Sequence, residues 1–243
     1  MKRALITGAN KGIGLETARQ LGRQGIEILL GSRDLARGEQ AAASLREDGI
    51  TAHVIQLDME DAASIGEAAS RIKSEFGTLD ILVNNAGVWL EGQDMGVSTV
   101  ATISQDDLMR TYQVNLFGVV DLTQRLLPLL KASPAGRIVN LSSILASLAL
   151  QADPKAETYG VKVFAYNSSK AALNSFTIHL AYELRNTKVK VNAAHPGWVL
   201  TDLGGPNAPM NVEQGAKTSV WLATLPEDGP TGGYFHMERA LPW

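Results

Sequence analysis

The sequence predicts an α/β fold: a doubly wound, mostly parallel sheet of about seven strands with helices on both faces. Three observations predict it. Short apolar runs alternate with longer stretches of helical periodicity along the whole chain. The first apolar run ends in a cluster of glycines that opens a helix. The length of 243 residues and the 45% hydrophobic content suit one large core better than two small ones. Residues 1–243 are therefore expected to form a single domain, with no linker or repeat.

The composition excludes several classes of function. A formal net charge of -3 and a pI near 5.8 leave no basic face for nucleic acid. There is no cysteine, so neither a disulfide framework nor a thiolate metal site is available. The four histidines, His53, His179, His195 and His236, are scattered, with no HExxH-like pair to suggest zinc. Two basic residues at the N-terminus lead straight into a five-residue apolar run and glycines. That pattern is neither a signal peptide nor a membrane span. The expectation is a soluble cytoplasmic protein with no metal, nucleic-acid or membrane partner.

Residues 3–7 read as the first buried strand. Gly8, Asn10, Lys11, Gly12, Ile13 and Gly14 follow, then a helix to about Gln24. A glycine turn between strand and helix brings backbone amides close to a phosphate at the helix N-terminus. The second strand, 26–31, ends in Ser32-Arg33-Asp34. An NAD site usually carries an acidic residue there for the ribose 2′-hydroxyl. Arg33 instead suits a 2′-phosphate, with Lys11 as a second positive charge, and this favours NADP(H). Asp34 either caps the helix over 35–48 or faces the ribose. The third strand, 51–57, ends at Asp58-Met59, where a carboxylate could accept from an adenine amino group, while Asp61 suits the cap of the helix at 62–75 better. The fourth, 79–83, closes on Asn84-Asn85-Ala86-Gly87, a polar, tightly turned rim.

An irregular stretch over 88–103 carries Trp89, Gly92 and Gly96, and a loop of that length usually has a task. Ser104 to Asp107 resembles a capping box that opens a helix to about Leu130. Asn115 falls inside that helix against its propensity, which suggests either structural glue or a local bulge exposing its carbonyl to water. Pro128 is expected to bend the helix end. The fifth strand, 137–141, ends at Ser142-Ser143, where open α/β sheets bind ligands. The sixth, 189–194, leads to His195, Pro196, Gly197, Trp198, Val199 and Thr201, then a Gly/Pro-rich loop able to close over a substrate at about 198–212. A helix near 212–224 and a short strand near 233–236 complete the pattern.

Tyr166 and Lys170 lie four apart at the start of a helix to about Arg185, which places a phenol beside an ammonium. A free phenol, with a pKa of about 10, exchanges protons slowly near neutrality. A cation at roughly 4 Å in a partly screened site could lower that value by at most about 4 kcal/mol of interaction. Such a group could protonate a carbonyl oxygen or deprotonate an alcohol.

Taken together, Thr7–Gly14, Asn84–Gly87, Tyr166–Lys170 and Pro196–Gly197 with Thr201 resemble the short-chain dehydrogenase/reductase family, which has a Rossmann-type fold. The forms of the glycine turn and of Pro-Gly-Trp-Val-x-Thr-Asp are similar to those of its carbonyl reductase branch. The resemblance implies NADPH-dependent reduction of a ketone or aldehyde. It implies Tyr166 as general acid, Lys170 as the residue that lowers its pKa and holds the ribose, and Ser143 on the carbonyl oxygen. Asn115 would position a relay water. Gly8, Asn10, Lys11, Gly12, Ile13, Gly14, Arg33, Asp58, Met59, Asn85, Ala86, Gly87, Pro196, Gly197, Val199 and Thr201, with Tyr166 and Lys170, would bind NADP(H). Trp89, Leu145 and Trp198, with Leu148 and the 203–210 loop, would line an apolar pocket for a small hydrophobic carbonyl. Ser143 and Tyr166 are 23 residues apart, longer than the usual spacing, so the extra segment 148–164 argues against a tetramer and leaves monomer or dimer. It also leaves Ser142 as an alternative to Ser143. Two other readings stay open: a non-catalytic NAD(P)-sensing regulator, and an NAD-linked alcohol dehydrogenase.

Overall fold

The first strand sits at the centre of the molecule because its side chains are apolar on both faces. β1 (Arg3–Ile6) lies between β2 (Glu27–Ser32) and β4 (Ile81–Asn84), parallel to each. Ala4 and Ile6 point into one core and Leu5 into the other, as the two-residue period of a strand requires. The computed structural model describes residues 1–91 and 99–243; Gly92 and Gly96 of the expected irregular stretch lie outside them.

With β3 (Ala52–Gln56), β5 (Arg137–Leu141), β6 (Lys190–Ala194), β7 (Tyr234–His236) and β8 (Arg239–Ala240), the sheet order is β3-β2-β1-β4-β5-β6-β7-β8. Seven strands are parallel, and β8 runs antiparallel to β7. This is a doubly wound α/β fold. β8 is an addition to the seven strands expected. It returns through Met237 and Glu238, both at positive φ (46° and 66°), a turn that Asn-Gly would have announced and these residues do not.

One core holds Ile6, Ile28 and Leu30 against α1 (Gly12–Gly22), α2 (Leu35–Glu47) and α8 (Val212–Ala223). The other holds Leu5, Leu29, Leu82 and Ile138 against α3 (Ala62–Arg71), α5 (Gly118–Ala132) and α7 (Phe164–Glu183). Each fully buried leucine or isoleucine stabilises the fold by about 1.5–3 kcal/mol. The helix expected over 104–130 is broken into α4 (Gln105–Tyr112), a π-helical turn at Gln113–Phe117, and α5. A second π turn, Ile72–Phe76, closes α3. Pro128 lies inside α5, which nevertheless runs on to Ala132. Gly118 is required at the α5 start: a Cβ there would stand 2.4 Å from the Met59 carbonyl oxygen.

Between β5 and α7 the chain forms a single 3₁₀ turn (Ile144–Ala146) and a short helix, α6 (Leu148–Ala152). The Trp243 carbonyl accepts from Ala149 N at 3.0 Å and from the Ser147 hydroxyl at 3.2 Å, which ties this segment to the last residues of the chain. At the end of β6, His195 joins the two loops that flank the sheet edge. Its Nδ1 accepts from Ile144 N at 3.2 Å and Gly197 N at 3.4 Å, so that nitrogen carries no proton. His236 lies against it, ring centres 4.9 Å apart, with Nδ1 2.9 Å from the His195 carbonyl.

Burial, helped by His236, pushes His195 from its ordinary value near 6.5 down to about 3. A lowered folded value means that the unfolded chain binds the proton first. The stabilisation is therefore complete above pH 6.5 and is lost progressively as the pH falls toward 3. Denaturant unfolding between pH 7 and 4 should show stability dropping by up to about 1.4 kcal/mol per pH unit from this group. His195→Asn should flatten that slope, and an equal slope in the variant would show that His195 does not set it.

Candidate active site

A cleft of about 1890 Å³ opens at the carboxyl ends of the strands, where β1 meets β4 and the strand order reverses. Its base is stitched by Thr7 and Asn85. The Thr7 hydroxyl accepts from Asn85 N (3.0 Å) and Ala86 N (2.9 Å), while Asn85 Nδ2 donates to the Thr7 (2.8 Å) and Gly8 (3.2 Å) carbonyls. Gly8 (φ 62°) passes so close to Ala86 that a Cβ would meet its Cα at 3.0 Å. At Gly14 a Cβ would stand 2.5 Å from Asn85 Nδ2. Gly8 is thus demanded by both backbone angle and contact, and Gly14 by contact.

The N-terminus of α1 carries no side-chain cap, since Lys11 at the cap position makes no such bond. Its first amides face the cleft beside Gly8, Asn10, Gly12, Ile13 and Gly14, the setting in which a helix terminus holds an anion. Arg33 is exposed on the same wall. Asp34 accepts from Arg37 N at 3.0 Å, so it is the α2 cap, which settles its two readings. Asp61 caps α3 through Ala63 N, leaving Asp58 on the cleft wall with one oxygen accepting from Glu60 N at 3.0 Å. Lys11 does not stand free beside Arg33: it is ion-paired to Asp202 of the loop after β6, and it holds that carboxyl below its usual range.

The far side of the cleft is built on α7. Tyr166 and Lys170 are both buried, one turn apart, and both reach the cleft. Lys170 Nζ donates to the Leu141 carbonyl at 2.8 Å and lies 5.9 Å from the centre of the Tyr166 ring. Gly87 makes room for it, because a Cβ there would approach Nζ to 3.2 Å and Asn115 Oδ1 to 3.3 Å. Burial pushes Lys170 down to about 8. Burial also raises the Tyr166 phenol above its ordinary value, opposed by a hydrogen bond with the Ser143 side chain. The lowering of the phenol by Lys170, expected from the sequence, is not what this geometry produces: the ammonium is turned to Leu141, and desolvation dominates.

The two serines diverge. The Ser142 hydroxyl donates to Asn174 Oδ1 at 2.7 Å, while the Ser143 hydroxyl accepts from Leu145 N at 3.3 Å and stands near enough to the phenol to oppose its rise. Asn115 sits in a π turn, fully buried, where it acts as the structural glue of its two readings and its carbonyl is not exposed to water. Its side chain is occupied with Val88 N and O, each at 2.9 Å, and with the Ser169 hydroxyl at 3.0 Å. Below it, Asn84 Nδ2 donates to Asn140 Oδ1 and Asn140 Nδ2 to the Thr177 hydroxyl, both at 2.8 Å, a buried polar ladder from β4 through β5 to α7.

Of the residues expected around the cleft, Met59, Asn85, Ala86, Pro196 and Thr201 line it, and Trp89 stacks on the Tyr166 ring at 5.4 Å between centres. Leu145 and Trp198 do not line it. Trp198 is exposed, and its Nε1 donates to the Gly204 carbonyl at 2.7 Å, bracing the loop. Leu148 is exposed on α6. Gly197 and Val199 also lie off the wall; Val199 is buried, with its carbon atoms within 3.0 Å of where a Gly215 Cβ would sit. Leu200, Asp202 and Leu203 take the loop's place on the wall. Glu91 was not anticipated: a buried carboxylate accepting from Ala165 N (3.0 Å) and Tyr166 N (2.8 Å). A lone glutamate inside a loop carries no periodicity to mark it. No cluster of three metal-capable side chains, and no helix long and apolar enough to cross a membrane, occurs among the described residues.

Residues 2–211 match the family model described as short chain dehydrogenase. The chain is 36% identical to the NADPH carbonyl reductase of Bos taurus, over 99% of this chain and 98% of that protein. The crystal structure of NADPH-bound carbonyl reductase from chicken fatty liver superposes with a TM-score of 0.86 at 27% identity, covering 100% of this chain and 99% of that one. Salutaridine reductase from Papaver somniferum superposes with a TM-score of 0.79 at 30% identity, covering 98% and 100% of the two chains. Fold, glycine turn, Tyr-Lys helix and these likenesses agree, and the chain belongs to the short-chain dehydrogenase/reductase family, in the branch that contains the carbonyl reductases.

Proposed function

We propose that this protein reduces a ketone or aldehyde to an alcohol with NADPH, using Tyr166 as the proton donor. The reading rests above all on one arrangement: a buried phenol beside Ser143, one helical turn from a buried ammonium, in the same cleft as an uncapped helix N-terminus and Arg33. Relatives named as NADPH carbonyl reductases support it.

The residues present fit a dinucleotide. Gly8, Gly12 and Gly14 leave no side chain between the α1 amides and a phosphate, and Arg33 supplies a fixed fork of donors for a 2′-phosphate. Asp58 suits the adenine amino group. Lys170 would hold ribose hydroxyls, and Pro196 and Thr201, which line the cleft, the nicotinamide end. The cofactor, when bound, supplies the hydride.

The chain's own contribution is proton delivery and orientation. A phenol raised above its ordinary value stays protonated at neutral pH, which suits an acid that gives a proton to a carbonyl oxygen. Ser143 donates or accepts at the phenol oxygen and orients it toward the same carbonyl. Lys170, buried and lowered to about 8, is close enough to neutrality to pass a proton on. Asn115, in its π turn, would place a water behind it. Trp89, Leu200 and Leu203 give the mouth an apolar lining that suits a hydrophobic carbonyl, and we place the substrate under the 198–212 loop.

Tyr166→Phe should lower kcat by a factor of about 10³ while NADPH still quenches protein fluorescence with its usual affinity; normal turnover on any accepted carbonyl would remove Tyr166 from the role. Arg33→Asp should weaken NADPH at least tenfold and leave NADH binding nearly unchanged, as read by titration with each cofactor. NADPH binding without turnover on a broad panel of ketones and aldehydes would instead favour a nucleotide sensor.

A further inference from the structure

Glu91 holds an unusual position. It is a carboxylate with almost no exposure, yet no arginine or lysine neutralises it among the described residues. Burying a carboxylate without compensation costs several kcal/mol, so its partners must explain its presence. They are two backbone amides, Ala165 N and Tyr166 N, one on each oxygen. Those amides belong to the first turn of α7, where no intrahelical acceptor exists and where the helix dipole favours a negative charge.

A helix normally obtains this service locally, from a serine, threonine or aspartate at its cap. Here the cap residue is Val163, which makes no side-chain bond. The acceptor comes from 74 and 75 residues upstream. The consequence of that distance is mechanical. The segment 87–91 is drawn along α7 and touches Lys170, Asn115 and Tyr166, three of the groups to which the proposed chemistry is assigned. Gly87 abuts Lys170 and Asn115, Val88 exchanges two hydrogen bonds with Asn115, and Trp89 lies flat on the Tyr166 ring. Glu91 is the peg at the end of this segment, and one of its two bonds is to Tyr166 itself.

We propose that Glu91 is a positioning residue: its buried carboxylate clamps the first turn of α7 and, through Trp89, fixes the Tyr166 phenol in the orientation needed to deliver its proton. The inference rests on the reading of Tyr166 as proton donor. A residue that acts only by aiming the phenol changes the rate of the chemical step and not the binding of either ligand.

The test is steady-state kinetics with NADPH and a carbonyl substrate the enzyme accepts, together with NADPH titration, for Glu91→Ala, Glu91→Gln and Tyr166→Phe. Glu91→Ala should lower kcat at least tenfold with KM and the NADPH Kd within about threefold of the parent. Glu91→Gln keeps the shape and one acceptor oxygen, and should recover part of the loss, leaving kcat reduced about two- to threefold from the parent with KM unmoved. A folded Glu91→Ala protein with kcat within twofold of the parent overturns the proposal. So does a kcat loss matched by an equal loss of NADPH affinity, which would mark Glu91 as scaffold only. If the alanine variant does not fold, the glutamine variant decides: a kcat reduced two- to threefold with KM unmoved supports the clamp, and a parental kcat overturns it. Tyr166→Phe separates the two levels of argument, since activity in that variant sinks the proton-donor reading whatever Glu91 does.

Discussion

The site depends on one seam. Thr7 and Asn85 bind each other's backbones where β1 and β4 leave the sheet side by side. Two chains diverge from this seam. One becomes the glycine turn and α1; the other becomes the 84–91 segment that runs to α7. Because neighbouring parallel strands are spaced by hydrogen bonds, the gap between the two chains is set by the sheet rather than by the loops. That is why one cleft can have an anion-binding helix terminus on one wall and a phenol with an ammonium on the other.

Burial then decides the electrostatics. Tyr166 is moved up and Lys170 down, so desolvation favours the neutral form of each. The buried Asn84–Asn140–Thr177 ladder joins β4, β5 and α7 through two side-chain hydrogen bonds, with the Asn84 side-chain oxygen left without a partner.

Much of this was legible in the sequence because it rests on local rules. Glycines at a strand-to-helix joint, a four-residue interval between tyrosine and lysine, and alternating apolar runs each carry their own geometry. Asp34 had two readings that sequence could not separate, since a cap and a ribose acceptor need the same residue type; the bond to Arg37 N separates them. Asn115 was marked by its poor helix propensity, and the π turn is the physical form of that misfit. What sequence could not show depends on long-range contact. Glu91 meets α7 only because the sheet brings them together. Trp198 and Leu145 have the right chemistry for a pocket but turn away from it, since Trp198 is held by Gly204. Lys170 was placed near the phenol correctly, but its ammonium answers to the Leu141 carbonyl, which no pattern encodes.

The β7–β8 hairpin has a consequence of another kind. Met237 and Glu238 both occupy left-handed backbone conformations that side chains of their shape resist, at about 1–2 kcal/mol each. The Met237 amide donates to the Thr218 hydroxyl, a bond that any residue but proline could supply. An enzyme engineer seeking heat tolerance would find slack there: Asn-Gly at 237–238 relaxes the corner at the sheet's outer edge.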